Sequence, residues 1–384
     1  MRCDFDQIIN RCGTDSVKWC HFPESALPLW VADMDFRSPE PVIRALRERV
    51  GHGVFGYGIE PPELRGIIIQ RLKRHYNWEV APDWIVFLPG VVAGFNLACQ
   101  ALSRPGDGIL VQTPAYPPIL HAPANADCTR DEAPLTQDTD GRYVIDWQVF
   151  EGAISQRTRV FILCNPHNPV GRVFTVQELQ RMAETCVRHG VTICSDEIHC
   201  DFVYPGQHHV PIASLGDEVQ QHVITLMAPS KTFNIAGLHF AVAIVPNAEL
   251  REQLCAARRG LIGEPDVLGY VAALAAYRDG QPWLDRLLRY LEANRDLVFE
   301  CVGARLPGIS MCKPEGTYLA WLDCHRAGIP GNAHEFFLNR AGVALNDGAD
   351  YGAVGEGFVR LNFGCSRATL LEALGRMEDA LKAL

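Results

Sequence analysis

The sequence has no C-x-x-C pair, no apolar run of membrane-spanning length, no internal repeat, no low-complexity tract and no excess of positive charge. Each absence excludes something. The 14 cysteines are scattered, the nearest two being Cys194 and Cys200. None of the usual zinc spacings is present, so no metal site is expected. Free thiols are expected instead, many of them buried as small hydrophobes. A bilayer span needs about 18–20 apolar residues. The best stretch, Val267 to Tyr277, is shorter and reads as a buried helix. The start, Met1-Arg2-Cys3-Asp4-Phe5-Asp6, puts acidic residues where a signal peptide needs an apolar core. A cytoplasmic protein is the expectation. The net charge of -10 argues against nucleic acid and anionic membrane as partners. The Arg258-Arg259 pair reads as a solvated helix face.

What is present is a chain of 384 residues, 48% hydrophobic and 21% charged. That is enough to bury a sizeable core in two or three domains. Short β-branched runs alternate with helical patterns through its middle. Strands are expected at Asp83–Leu88, Gly108–Gln112, Val160–Cys164, Val191–Ser195, Val223–Met227 and Ala241–Val245. Helices are expected at Val91–Leu102 and Val176–His189. This alternation predicts an α/β fold with a mostly parallel sheet covered on both faces. After about residue 265 amphipathic helices dominate. Short strands near Ile309–Met311, Thr317–Leu322 and Phe358–Leu361 follow, and a last helix begins at Ala368. The expected division is an irregular N-terminal arm over 1–44 that joins the small domain, a large domain over 45–275 and a smaller α+β domain over 276–384.

Five motifs follow predicted strands, where an open α/β sheet places its ligand. Ala228-Pro229-Ser230-Lys231-Thr232-Phe233 puts a lysine at a strand end, and burial there would make its amine nucleophilic. A surface lysine on a loop would look the same in isolation. Ser195-Asp196-Glu197-Ile198-His199 puts a carboxylate where it can face a cation. Capping or an ordinary salt bridge is the alternative, and Glu197 reads as structural. Asn165-Pro166-His167-Asn168-Pro169-Val170-Gly171 forces a rigid turn that can aim the Asn168 amide. Pro89-Gly90-Val91-Val92 opens a helix whose free N–H groups can bind an anion such as phosphate. Thr113-Pro114-Ala115-Tyr116-Pro117 fixes an aromatic ring that could stack on a planar ligand or simply pack in the core.

Taken in order, Val91, Val92, Tyr116, Asn168, Asp196 and Lys231 resemble the signature series of fold-type I pyridoxal 5'-phosphate (PLP) enzymes of the aspartate aminotransferase superfamily. NPHNPVG, SDEIH and SKTFNIAGL carry that likeness. Pro28-Leu29-Trp30-Val31-Ala32-Asp33-Met34-Asp35-Phe36, Phe55-Gly56-Tyr57 and Arg360-Leu361-Asn362-Phe363 further resemble the MalY/PatB-type cystathionine β-lyases, or C–S lyases. The resemblance covers essentially the whole chain. It implies that Lys231 bonds PLP as an imine, Asp196 pairs the ring nitrogen, Asn168 bonds the 3'-oxygen and Tyr116 stacks on the ring. His199 stands where aminotransferases often place a tyrosine. Val91, Val92 and Ser230 would hold the phosphate, Tyr57 would reach it from the other subunit of a homodimer, and Arg360 would bind the substrate carboxylate. Most aminotransferases of this superfamily carry arginine eight residues past the lysine; here that position is His239.

The implied reaction is β-elimination of L-cystathionine, or of cysteine- and cystine-type substrates, to a thiol, pyruvate and ammonia. An aminotransferase shares the first half of that path, and no spacing separates the two. A protein that regulates by binding a transcription factor is the reading from another class, and nothing in the sequence marks such a surface.

Overall fold

A computed structural model describes residues 4–384. Strands β1 (Ile85–Leu88), β2 (Gly108–Val111), β3 (Thr129–Glu132), β4 (Thr158–Cys164), β5 (Thr192–Asp196), β6 (Val223–Met227) and β7 (Ala241–Ile244) form one sheet. Its order is β1-β7-β6-β5-β4-β2-β3. Strands β2 to β6 are mutually parallel, and β7 lies antiparallel between β1 and β6. The central strands read TRVFILC, TICSD and VITLM and are buried almost throughout. Near-continuous apolar runs of that kind belong to a sheet covered on both sides. The edge strand β3 reads TRDE and is largely exposed. Charge on an edge discourages pairing with another chain, but it also hides the strand from any hydrophobic pattern.

The helices are α1 (Glu40–His52), α2 (Leu64–Tyr76), α3 (Val91–Leu102), α4 (Pro117–Asn125), α5 (Val176–Arg188), α6 (Ala248–Ala257), α7 (Val267–Asp279), α8 (Gln281–Arg305) and α9 (Arg367–Lys382). Phe95 of α3, Ile119 of α4 and Leu254 of α6 share one core with Val160, Ile162 and Ile224 of the sheet. Ile68 of α2, Leu179 of α5 and Ala273 of α7 share another with Phe161, Ile193 and Val242. These sheet residues alternate along their strands, so the two cores lie on opposite faces. Helix α5 starts with a capping box, the Thr175 hydroxyl accepting from the Glu178 N–H and the Glu178 carboxylate from the Thr175 N–H. The apolar stretch 267–277 is indeed a buried helix, α7, with small residues that let it pack closely on α1 and α2.

A second, antiparallel sheet has the order β8-β10-β9, with β8 (Leu319–Asp323), β9 (Asn346–Asp347) and β10 (Phe358–Asn362). Its core takes in α8, α9 and five residues of the N-terminal 44, Phe5, Leu29, Met34, Phe36 and Val42. Leu27–Pro28 also pairs in parallel with Val343–Ala344. Two details differ from the pattern-based strands. Residues 82–84 form a helical turn before β1, and the 309–311 stretch makes a single bridge, Ser310 to Asp323. The thirteen described cysteines are free thiols, eight of them buried. Among the described residues no helix is long and apolar enough to cross a membrane.

Candidate active site

The register of the central sheet aligns Cys164, Asp196 and Leu226 across β4, β5 and β6. Chain segments leaving those strands therefore emerge at one edge, the carboxyl edge of the sheet. A cavity of about 520 Å³ opens there, within the usual range for a small-molecule site. Val91, Val92, Tyr116, Asn168, Asp196, His199, Ser230, Lys231, His239 and Arg360 all line it. Tyr57 does not. Its side chain is fully exposed on the segment that also exposes Val54, Phe55 and Ile59.

Lys231 sits in a one-turn helix, Pro229–Thr232, directly after β6. Its Nζ donates to the carbonyl oxygen of Ala32 at 2.7 Å. Burial pulls its pKa down to about 8; Asp33 and Asp196 oppose that and Arg360 reinforces it. Asp196 ends β5 and is buried. Burial pushes its carboxyl up to about 7, although the Ile198 N–H donates to Oδ1 at 3.1 Å and Lys231 attracts it. His199 is buried too, and burial lowers its pKa to about 3, so its imidazole is neutral. Its Nδ1 has no partner among the described residues. Glu197 faces elsewhere. It accepts from Ser195 Oγ at 2.9 Å and the Ile212 N–H at 3.2 Å, and pairs with His209 at 2.8 Å. That is the structural role its position called for.

The turn that carries Asn168 is closed by hydrogen bonds from the His167 N–H to Arg172 O and from the Gly171 N–H to His167 O. Both Asn–Pro bonds in it are cis. Gly171 has φ +72°, and a Cβ there would meet Pro314 at 2.8 Å, so only glycine fits. His167 Nε2 lies 2.8 Å from Pro114 O, which fixes the turn against the segment bearing Tyr116. Arg360, on β10, is nearly fully buried. Its Nη1 donates to Asn168 Oδ1 at 2.9 Å, and its Nη2 donates to Trp30 O at 2.9 Å and Asn346 Oδ1 at 2.6 Å. The guanidinium lies over the Tyr351 ring, 5.1 Å from its centroid. Nε is buried without a partner among the described residues.

The other end of the cavity is built from backbone. Helix α3 begins after Gly90 with no side-chain cap and no acidic residue in its first turn. Its leading N–H groups therefore stay available, with the positive end of the helix dipole behind them. Ser230 and His239 border the same cavity. His239 closes a short helical turn in the left-handed region, at φ 45°.

The cavity also includes residues to which motif reading gave no role: Trp30, Val31 and Ala32 on one wall, and Asn346 and Tyr351 near Arg360. The string PLWVADMDF marked the first three as a family signature without saying that they face the site. Asn346 and Tyr351 lie in a two-residue strand and a short helical turn, where no periodicity points to them.

The family model for aminotransferase class I and II matches residues 26–377. The chain belongs to that family. It is 41% identical to cystathionine β-lyase PatB of Bacillus subtilis, over 98% of this chain and 100% of the relative. Among solved structures it is similar to OvoB, with 45% identity, a TM-score of 0.95 and coverage of 99% and 100% of the two chains. It is also similar to cystalysin of Treponema denticola, a structure that contains pyridoxal 5'-phosphate, with 32% identity, a TM-score of 0.96 and complete coverage of both chains. Within the class I and II family the chain therefore falls in the cystathionine β-lyase group, on the fold-type I architecture.

Proposed function

We propose that the protein is a PLP-dependent C–S β-lyase that cleaves L-cystathionine, and related S-substituted cysteines, to a thiol, pyruvate and ammonia. The observation that carries this reading is the donor set of the cavity. A buried carboxylate near pKa 7 with no cation bonded to it among the described residues, a lysine drawn down to about 8 and a helix start with free N–H groups occupy one cavity. Those groups fit PLP. Asp196 would face the ring nitrogen, Lys231 would form the covalent bond, and Val91, Val92, Ser230 and His239 would take the phosphate. The Asn168 amide nitrogen, which has no partner among the described residues, would donate to the 3'-oxygen, with Tyr116 against the ring.

When bound, PLP supplies an electron sink that makes a Cα proton of an amino acid removable. The rest is done by this chain. Arg360, held by Asn168, Asn346 and the Trp30 carbonyl, supplies the positive charge that binds the substrate carboxylate. Lys231, whose lowered pKa of about 8 makes its free amine accessible near neutral pH, takes the Cα proton. Asp196 keeps a proton at the ring nitrogen, and the neutral His199 beside it adds no competing positive charge. The Cβ–S bond then breaks and the thiolate leaves with the bonding pair. Water converts the remaining three-carbon unit to pyruvate and ammonia.

The same reading makes the protein a cytoplasmic homodimer. Val54, Phe55, Tyr57 and Ile59 are exposed on one short segment. A second copy would cover that apolar surface and receive Tyr57 at the phosphate end of its cavity. The chain then divides into an arm over 1–44, a large domain over 45–275 and a small domain over 276–384. The test incubates purified protein with L-cystathionine and no keto acid. Pyruvate and homocysteine released in equal amounts are expected. Turnover that appears only with a keto-acid acceptor would overturn the lyase reading in favour of an aminotransferase.

A further inference from the structure

Lys231 is bound by a carbonyl, not by a carboxylate or a hydroxyl. That carbonyl, Ala32 O, accepts from two donors, Lys231 Nζ at 2.7 Å and the Tyr318 hydroxyl at 2.8 Å. Its neighbours on the segment 30–36, a strap that runs between Asn234 and Asn362, are pinned as well. Asn362 Nδ2, fully buried, donates to Val31 O at 2.6 Å and to Asp33 O at 2.7 Å. From the large-domain side Asn234 takes the Met34 N–H and donates to Met34 O and Phe36 O. The strap is thus held by residues just beyond Lys231 on one side and just beyond Arg360 on the other.

Tyr318 is itself over-determined. It is fully buried, with its ring edge-on to Phe202 at 4.9 Å and to His199 at 5.8 Å. Its own carbonyl accepts from the Phe363 N–H at 3.0 Å. The residue before it, Thr317, has φ +66°, a conformation that a β-branched side chain adopts only under strain. The surrounding structure sustains that strain. The Thr317 N–H donates to Phe202 O at 2.9 Å, and Thr317 O accepts from Tyr204 at 2.7 Å. Strain of this kind is kept where it places a group that matters.

We propose that Tyr318 is a positioning residue, acting through the Ala32 carbonyl, which receives the ε-amine of Lys231 whenever that amine is free and leaves its lone pair open to take the substrate's Cα proton. The chemistry of the contact supports this. A carbonyl can only accept, so it engages an N–H of the amine and never its lone pair. A hydroxyl aimed at Nζ would do the reverse and occupy the lone pair. Here the Tyr318 proton is directed at the carbonyl, and burial keeps the phenol protonated by pushing its pKa up. The charged groups around the amine are Asp33 on the strap, Asp196 at the end of β5 and Arg360 on β10. The inference rests on the lyase reading for its proton-transfer half only.

Tyr318→Phe keeps the ring and removes the donor. Two measurements follow. In pyruvate release from L-cystathionine, kcat is expected to fall about tenfold with KM within about twofold, and the isotope effect from deuterium at Cα is expected to rise, because proton removal becomes slower. In the second, PLP is added to the full-length protein stripped of cofactor, and the rate of covalent uptake is followed by absorbance against pH. With one donor gone the carbonyl binds the ammonium form of Lys231 more strongly. The uptake profile is therefore expected to move up by about half a pH unit. A wild-type isotope effect or an unmoved uptake profile overturns the proposal. If the wild-type protein releases no pyruvate, the lyase reading falls and the uptake profile alone decides this one. If Tyr318→Phe does not accumulate as folded protein, Tyr318→Met, which also removes the donor but fills the buried site with a flexible apolar side chain, is measured in the same two ways with the same directions expected.

Discussion

Asp196 and Asp201 stand five residues apart at the end of β5, both with buried carboxyl groups, yet their surroundings are opposite. Asp201 is fully complemented. Arg71 Nη2 donates to it at 2.6 Å, Thr232 Oγ1 at 2.8 Å and Tyr76 at 3.2 Å. Burial works against its charge, but Arg71 and Thr232 hold its carboxyl below the usual range. Among the described residues Asp196 has one backbone N–H and no bonded cation, so burial dominates and lifts it to about 7. A protein that can complement one carboxylate so fully could complement its neighbour. The difference marks Asp201 as a joint, tying α2 to the turn that carries Lys231, and Asp196 as a group held ready for a ligand.

That contrast breaks first at Asp196. Asp196→Asn keeps the shape and removes the charge that would hold a proton on the ring. Activity is expected to fall on the order of 10³-fold in kcat. Thermal stability of the protein without cofactor should hold or rise, since a buried carboxyl without a cation partner is removed. A variant with near wild-type kcat would show that Asp196 is only structural. Asp201→Asn should behave in the opposite way. It leaves Arg71 buried without its countercharge, and breaking such a pair costs about 3–5 kcal/mol. A chemical denaturation curve is expected to show that loss. Activity of the molecules that remain folded should fall far less than in Asp196→Asn. Equal activity losses in the two variants would erase the distinction.

Much of this was legible in the sequence, for reasons that differ by region. β4, β5 and β6 are apolar, β-branched and bounded by turn residues, so their positions follow from pattern alone. Because those strands are adjacent and parallel, the motifs behind them had to meet at one edge. Other elements escaped. Helix α4 reads PPILHAPAN, with three prolines, and owes its existence to packing against α3 rather than to propensity. The strand β3 has no apolar residue to betray it. Helix α2 does carry buried Leu64, Ile68 and Leu72 at helical spacing, but the run Ile67-Ile68-Ile69 blurs the period. The clamp on Arg360 and the two-sided grip on the 30–36 strap join residues up to 331 positions apart. No local pattern encodes such contacts.

The finest test of the comparison is the pH dependence of stability, where the two aspartates have opposite signs. For Asp196 the folded pKa is raised, to about 7 from the usual 3.8. Below about pH 4 both folded and unfolded chains hold the proton, and its contribution to stability is complete. As pH rises from 4 to 7 only the unfolded chain releases the proton, so stability is lost through that window and is level above it. For Asp201 the folded pKa is lowered. Its contribution is complete above about pH 4 and is lost as pH falls through the folded value. Urea unfolding of the full chain stripped of cofactor should therefore show wild type losing about 3–4 kcal/mol relative to Asp196→Asn between pH 4 and 7. Asp201→Asn should show a shallower loss than wild type on the acid side of pH 4. Adding PLP should flatten the first slope and leave the second alone, because only Asp196 gains a partner when the cavity fills. If PLP left the pH 4 to 7 slope of the wild type unchanged, Asp196 would not be facing the cofactor.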